Sequence, residues 1–184
     1  MTENSTGRPS AAAGVLGAAT VATGLVAGVF YIFACDVMLA LARSDDRVFI
    51  EVMVNINDVI QNPVFFLSFL GAPVLTAFSA RQLRGCPHRR WVWAALAACV
   101  LALLVTAVVN VPLNDRLADA GDPARIADPA AVRERFEDTW VAWNVVRALL
   151  STCALACLAR ALFLHREAYP SAYLASAAGS RASR

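Results

Sequence analysis

Trp140, Asn144, Arg147 and Ser151 follow one another at steps of four, three and four, so a helix carries them on a single face, with Trp143 close beside it. They stand in an apolar run, Trp140 to Leu164. A charge near the middle of hydrocarbon costs on the order of 2.5–3.5 kcal/mol on insertion scales, so Arg147 needs a partner or a task. Asp36 offers one. It lies about one and a half turns before the end of the first apolar run, and Arg147 lies about two turns after the start of the last. Matching depth predicts that the two face each other or share a polar pocket, as a structural ion pair or a functional one; the residues leave both open. Thr106 and Asn110, with Asn114 just beyond Pro112, reach the same end, as do Asn57, Gln61 and Asn62. Asparagines also cap helices or bond between them, which fits Asn62 and Asn114, and Trp140 or Trp143 also suits an interfacial aromatic belt.

The elements that must position these residues are helices in a membrane. The chain has 184 residues, 59% hydrophobic and only 16% charged, too apolar for an ordinary water-soluble fold and of a length suited to one domain. The expected fold is all-α, an integral membrane four-helix bundle. Its spans are read at about residues 11–42, 62–80, 91–111 and 140–164 within a domain of residues 11–165. Residues 1–10 and 166–184 are read as disordered ends. Between the first two spans Phe49, Val52, Met53, Ile56 and Ile60 recur at helical spacing among acids and Asn, as in an amphipathic interfacial helix. Asn62-Pro63 reads as an N-cap followed by a proline at the first helical position. Pro112 is expected to end the third span, and a short helix from about Pro129 is expected to feed the fourth.

Charge is segregated by loop. All 16 cations are Arg, and the net charge of +2 conceals a pattern rather than a nucleic-acid footprint. Arg81, Arg84, His88, Arg89 and Arg90 form one basic loop; Asp115, Asp119, Asp122, Asp128, Glu134, Glu137 and Asp138 dominate another. The arginine bias predicts the basic loop and both termini on the cytoplasmic side of the cytoplasmic membrane, with the acidic loop outside. The apolar stretch from Ala11 to Cys35 is far longer than the ~7–15-residue core of a secretion signal, so it reads as a span. Phe33 is too bulky for the lipoprotein cleavage box that Ile32 to Cys35 faintly suggests. Five cysteines, at 35, 86, 99, 153 and 157, have neither disulfide-framework nor zinc spacing. Cys153 and Cys157 share a face, yet packing is the commoner use of such thiols. Ala13, Gly17, Thr20, Gly24 and Gly28 make a small-residue stripe, a packing face within the bundle or between copies in a homo-oligomer. His88 and His165 are expected away from the polar cluster, which leaves that cluster without the usual ligand of a zinc or haem site.

Several strings together resemble the anthrone oxygenase-like integral membrane proteins. They are Gly28-Val-Phe-Tyr-Ile-Phe with Val37 to Leu41, Phe49-Ile-Glu-Val-Met53 with Asn55-Ile-Asn57, Gln61-Asn62-Pro63 with Phe69-Leu-Gly71, Asn110-Val-Pro-Leu-Asn114, and Phe136-Glu137 with Trp140, Trp143-Asn144 and Arg147. The likeness runs from Gly14 to Leu162, and Asn-Val-Pro-Leu-Asn and Trp-x-x-Trp-Asn-x-x-Arg are its most specific parts. The chain departs from the family pattern at Ala34 and Cys35, where a Ser is usual nearby, at Leu39, where Pro is usual, and at Val54, where Gln is usual. Those changes surround the expected pocket and bear on the substrate.

The resemblance implies a cofactor-independent monooxygenase that takes an enolisable aromatic and O₂, with no metal or flavin. An acidic C–H is deprotonated, the carbanion passes an electron to O₂, and the resulting peroxide loses water to leave a carbonyl. Such a site needs a base, donors for the enolate oxygen and a dry aromatic slot. On this reading Arg147, Asn144 and Asn110 hold the enolate, Asp36 is the base, and Trp140 or Trp143 stacks on the substrate, with Asn57, Asn62 and Asn114 around it. Pairing with Arg147 would weaken Asp36 as a base. The competing reading is a non-enzymatic membrane protein whose polar cluster is a structural network or binds a lipid, quinone or partner helix. The expected partners are the bilayer, O₂ and a small lipophilic or aromatic substrate, with no nucleic acid.

Overall fold

A computed structural model describes residues 7–169, and every regular element among them is helical. Helix α1 (Gly7–Ile32) widens into a π turn at Phe33–Val37 and closes with a single further turn, α2 (Met38–Leu41). Helix α3 (Asp46–Val59) is the amphipathic segment, and α4 (Pro63–Gln82) is the second long apolar helix. Helix α5 (Arg89–Val105) passes through a second π turn, Thr106–Asn110, into α6 (Val111–Ala118). Helix α7 (Pro129–Ala168) is continuous over 40 residues. The short helix expected ahead of the fourth span therefore exists but runs unbroken into the span, because nothing between Pro129 and Leu164 interrupts backbone bonding. Pro112 likewise does not end the third span. It sits in the first turn of α6, where a missing N–H is tolerated. The first six residues and those after Tyr169, including most of the expected disordered tail, lie outside the described residues.

Local chemistry accounts for the helix starts. Asn62 Oδ1 accepts from the N–H groups of Val64 and Phe65, and Pro63 follows it, so the N-cap read from the sequence is present. Asp45 caps α3 through the Arg47 N–H, and Asp128 caps α7 through the Ala131 N–H ahead of Pro129.

Four stretches are long and apolar enough to cross a membrane: Ala11–Leu41, Pro63–Gln82, Arg89–Ala118 and Pro129–Ala168. Their surfaces are the reverse of a water-soluble bundle. Large apolar side chains point outward, among them Leu67 (77% exposed), Val74 and Leu149, while the inside holds Ala19, Thr23, Thr76, Ser79, Ala95, Ser151 and Ala154. Small residues inside let the backbones approach, which is how helices associate when lipid is as apolar as the side chains. Gly24 is part of this inner face: a Cβ there would meet Leu155 of α7 at 3.6 Å.

Packing is divided between the two ends. At one, Leu16, Leu83, Val92, Leu158 and Ala161 form a core under the Arg84–Arg90 loop. At the other, α3 turns Phe49, Ile50 and Met53 onto Leu113 and Leu117 of α6 and Phe136 and Trp140 of α7. The apolar face of α3 is thus spent on the protein itself. Arg133 holds this end shut: it donates to Glu137 and Asp46 and to the carbonyls of Ala42 and Ser44, and its guanidinium lies 4.5 Å from the Phe49 ring centre. Arg47 ties α3 to the α6–α7 connection through the carbonyls of Pro123 and Ile126.

Candidate functional site

Between the middle of the bundle and the α3 end lies a cavity of about 190 Å³. Its apolar wall comes from Phe30 and Phe33 on the first helix and Phe65, Phe66 and Phe69 on α4; Ile56 and Ile60 close the α3 side. Phe65 and Phe69 stack at 5.3 Å, and Phe69 meets Phe30 edge-on at 6.4 Å. Asn57, Gln61, Thr106, Asn114, Asp115, Trp140, Asn144 and Arg147 line the remainder. The residues come from all four apolar stretches and from α3, so the cavity exists only in the assembled bundle.

Arg147 is the deepest charge, 5% exposed. Its Nη2 donates to Asn144 Oδ1 at 3.0 Å and its Nη1 to Thr106 Oγ1 at 3.4 Å. The guanidinium lies 4.4 Å from the Phe30 ring centre and 5.3 Å from that of Trp140, so two π faces offset part of the cost of burying it. Asn144, completely buried, is oriented by donating to the Phe30 carbonyl at 3.1 Å. This leaves Oδ1 to the arginine. Trp140 Nε1 donates to Asn114 Oδ1 at 2.8 Å, which locks the start of α6 to α7. Two buried donors on the cavity residues have no partner: Arg147 Nε and Asn57 Nδ2. Buried N–H groups left unpaired are costly, so each of these two is a donor that the bundle itself does not satisfy.

The ion pair expected between Asp36 and Arg147 is absent among the described residues. Asp36 lies within the π turn Phe33–Val37 and is exposed, whereas Arg147 is turned inward to neutral acceptors and rings. A π turn holds an extra residue, which shifts the side chains after it around the helix axis relative to a regular 3.6-residue count. Depth along the chain says nothing of direction around the helix, and one side chain faces out while the other faces in. Asn110 is buried beside the cavity but does not line it. Its Nδ2 donates to the Trp140 carbonyl at 3.4 Å, and its Oδ1 is unpartnered. Trp143 is exposed on the outer surface of α7, and Asn62 serves as the α4 cap. Asn57, Asn114, Trp140, Asn144 and Arg147 do come together.

The sequence reading missed the five-phenylalanine wall and Asp115. By sequence Asp115 belongs with the loop acids; the signal for its place here is its position directly after Asn114, inside a helix that continues past Pro112. Both π turns flank this cavity, and such turns are frequent at functional sites.

His88 and His165 sit at the opposite end, both buried, with His165 Nδ1 3.2 Å from His88 Nε2 and the rings nearly perpendicular. Burial, together with the second histidine beside it, lowers the His88 pKa from its ordinary 6.5. Among the described residues no three His, Cys, Asp or Glu side chains are grouped to hold a metal ion.

No curated protein and no solved structure matches the chain. The family model described as anthrone oxygenase does, over residues 52–157, more than half of the chain. The matched stretch contains Asn57, Phe65, Phe69, Thr106, Asn114, Asp115, Trp140, Asn144 and Arg147, and thus most of the cavity just described. The chain belongs to the anthrone oxygenase family.

Proposed function

We propose that this protein is a cofactor-independent oxygenase of the cytoplasmic membrane that converts the CH₂ of a small, enolisable aromatic ketone to a carbonyl, consuming one O₂ and releasing one H₂O. The observation that carries the reading is the buried Arg147 guanidinium, without an ion-pair partner among the described residues, lining a cavity that also has five phenylalanines in its wall. Negative charge on an enolate oxygen is stabilised most where water is excluded and the donors are already in place. Flat aromatic faces complement the phenyl wall and Trp140. The cavity is below the ~300–1,000 Å³ common for drug-sized ligands, which favours a compact ring system over a glycosylated or extended one. The electrons come from the substrate itself once it is an enolate, so the donor set needs only to form and hold that anion. The arginine asymmetry between loops supports cytoplasmic termini, with the cavity end facing outward.

The test is O₂ uptake by the purified full-length protein with anthrone, against spontaneous oxidation in the same detergent and without added metal, flavin or nicotinamide. Wild type should exceed the background. Arg147→Ala should fall by about 10²–10³-fold, the usual effect of removing one preorganised donor to a developing oxyanion. Arg147→Lys should recover only part of it, because a point charge cannot reproduce the planar fork. If folded Arg147→Ala matches wild type, or if wild type never exceeds the background across a panel of such ketones, the cavity binds or braces rather than catalyses.

A further inference from the structure

We infer that Asp115 is the general base of this cavity; the inference rests on the oxygenase reading above. Seven polar or charged side chains besides Trp140 line the cavity: Asn57, Gln61, Thr106, Asn114, Asp115, Asn144 and Arg147. Amides and a threonine hydroxyl do not take up a proton near neutral pH, and an arginine already carries one. Asp115 is the carboxylate of the set. Asp36, the other candidate, does not line the cavity.

The electrostatic arrangement supports the same division of labour. Neither Arg147 nor Asp115 takes part in an ion pair among the described residues, so one unpaired cation and one unpaired carboxylate border the same small space. A ketone held between them can give a proton of its ring CH₂, which is conjugated with the carbonyl through the flanking aromatic rings, to Asp115. The C–H bond breaks, an O–H bond forms on the carboxylate, and the released electron pair delocalises onto the ketone oxygen beside Arg147. No oxidant enters this step; O₂ acts afterwards on the enolate. Asp115 is also exposed, which lets the proton pass to water and resets the base. Its placement is held from both directions. Asn114, its neighbour, is fixed by Trp140 Nε1 at 2.8 Å, and the turn it belongs to follows directly from the π turn at Thr106–Asn110.

The experiment uses anthrone as probe with the full chain in detergent, and reads binding by tryptophan fluorescence separately from O₂ uptake. Asp115→Asn should bind anthrone with unchanged affinity and turn it over about 10²–10⁴-fold more slowly, the usual contribution of a positioned base. Its residual rate should climb with pH as hydroxide replaces the carboxylate, and formate should partly restore Asp115→Ala. Asp119→Asn, one turn further along and outside the cavity, should behave as wild type. If wild type is active and Asp115→Asn is equally fast, or if Asp36→Asn is the variant that fails, Asp115 is not the base and the oxygenase reading survives. If wild type itself never exceeds spontaneous oxidation, that reading falls and the base falls with it.

Discussion

Replacing Arg133 by alanine should loosen the α3 end of the bundle by about 3–4 kcal/mol. The side chain is only 14% exposed and makes contacts of unequal worth. The arm to Asp46, whose side chain is 38% exposed, is screened by water and adds at most about a tenth of the total; surface pairs are worth ~0–1 kcal/mol. The Glu137 pair, 2.6 Å long and four residues away on the same helix, is better sheltered at 20% exposure and contributes about 1 kcal/mol. The bonds to the Ala42 and Ser44 carbonyls, each 3.1 Å, satisfy acceptors left open where α2 ends, and charged donors make these worth about 1 kcal/mol or more apiece. The Phe49 ring adds roughly 0.5–1 kcal/mol. For a chain of this size the total corresponds to a fall of roughly 10 °C in the unfolding midpoint. Circular dichroism at 222 nm in a mild detergent reads it. Arg133→Lys should recover about half, keeping one ion pair and losing the fork. Because α3 and its C-cap carry Ile56, Asn57 and Ile60 to the cavity, Arg133→Ala should also weaken anthrone binding. A midpoint within about 2 °C of wild type would refute the idea that this guanidinium holds α3 in place.

Three further outcomes are expected. His88 has a folded pKa below its ordinary 6.5, so the folded state resists protonation that the unfolded chain accepts; its contribution is intact above pH 6.5 and is lost as pH falls through that window. The unfolding midpoint should therefore drop between pH 7.5 and 5, and less so in His88→Gln; equal slopes in the two proteins would exclude His88 as the cause. Asp36→Ala and Arg147→Ala should have additive effects on stability, since no contact joins them, and a coupling above about 0.5 kcal/mol in the double-mutant cycle would contradict the geometry. A cysteine introduced at Asp122 in a background without reactive thiols should be labelled by an impermeant reagent from outside intact cells, and one at Arg84 should not; the reverse pattern would invert the proposed orientation.

Composition and periodicity were enough to determine that the chain is helical and that four of its stretches can cross a membrane, because a run of some twenty apolar residues has few other stable solutions. The Asn62 cap followed by Pro63 was legible for the same local reason: the bonds involved span two or three residues. The grouping of Trp140, Asn144 and Arg147 was legible too, because within one regular helix spacing alone sets the face. What spacing could not supply was direction across helices. The π turns at Phe33–Val37 and Thr106–Asn110 leave no sequence mark, yet they displace the side chains that follow from the faces a regular helix would give them. Asp36 thereby lies outside the cavity and Asp115, on the helix after the second π turn, lines it. The phenylalanine wall joins residues of α1, its π turn and α4 that lie some thirty positions apart, and the Arg133 clamp joins residues about ninety apart. Contacts of that range depend on how whole helices are rotated and docked, so only the assembled bundle decides which polar residues share a cavity and which merely share a depth.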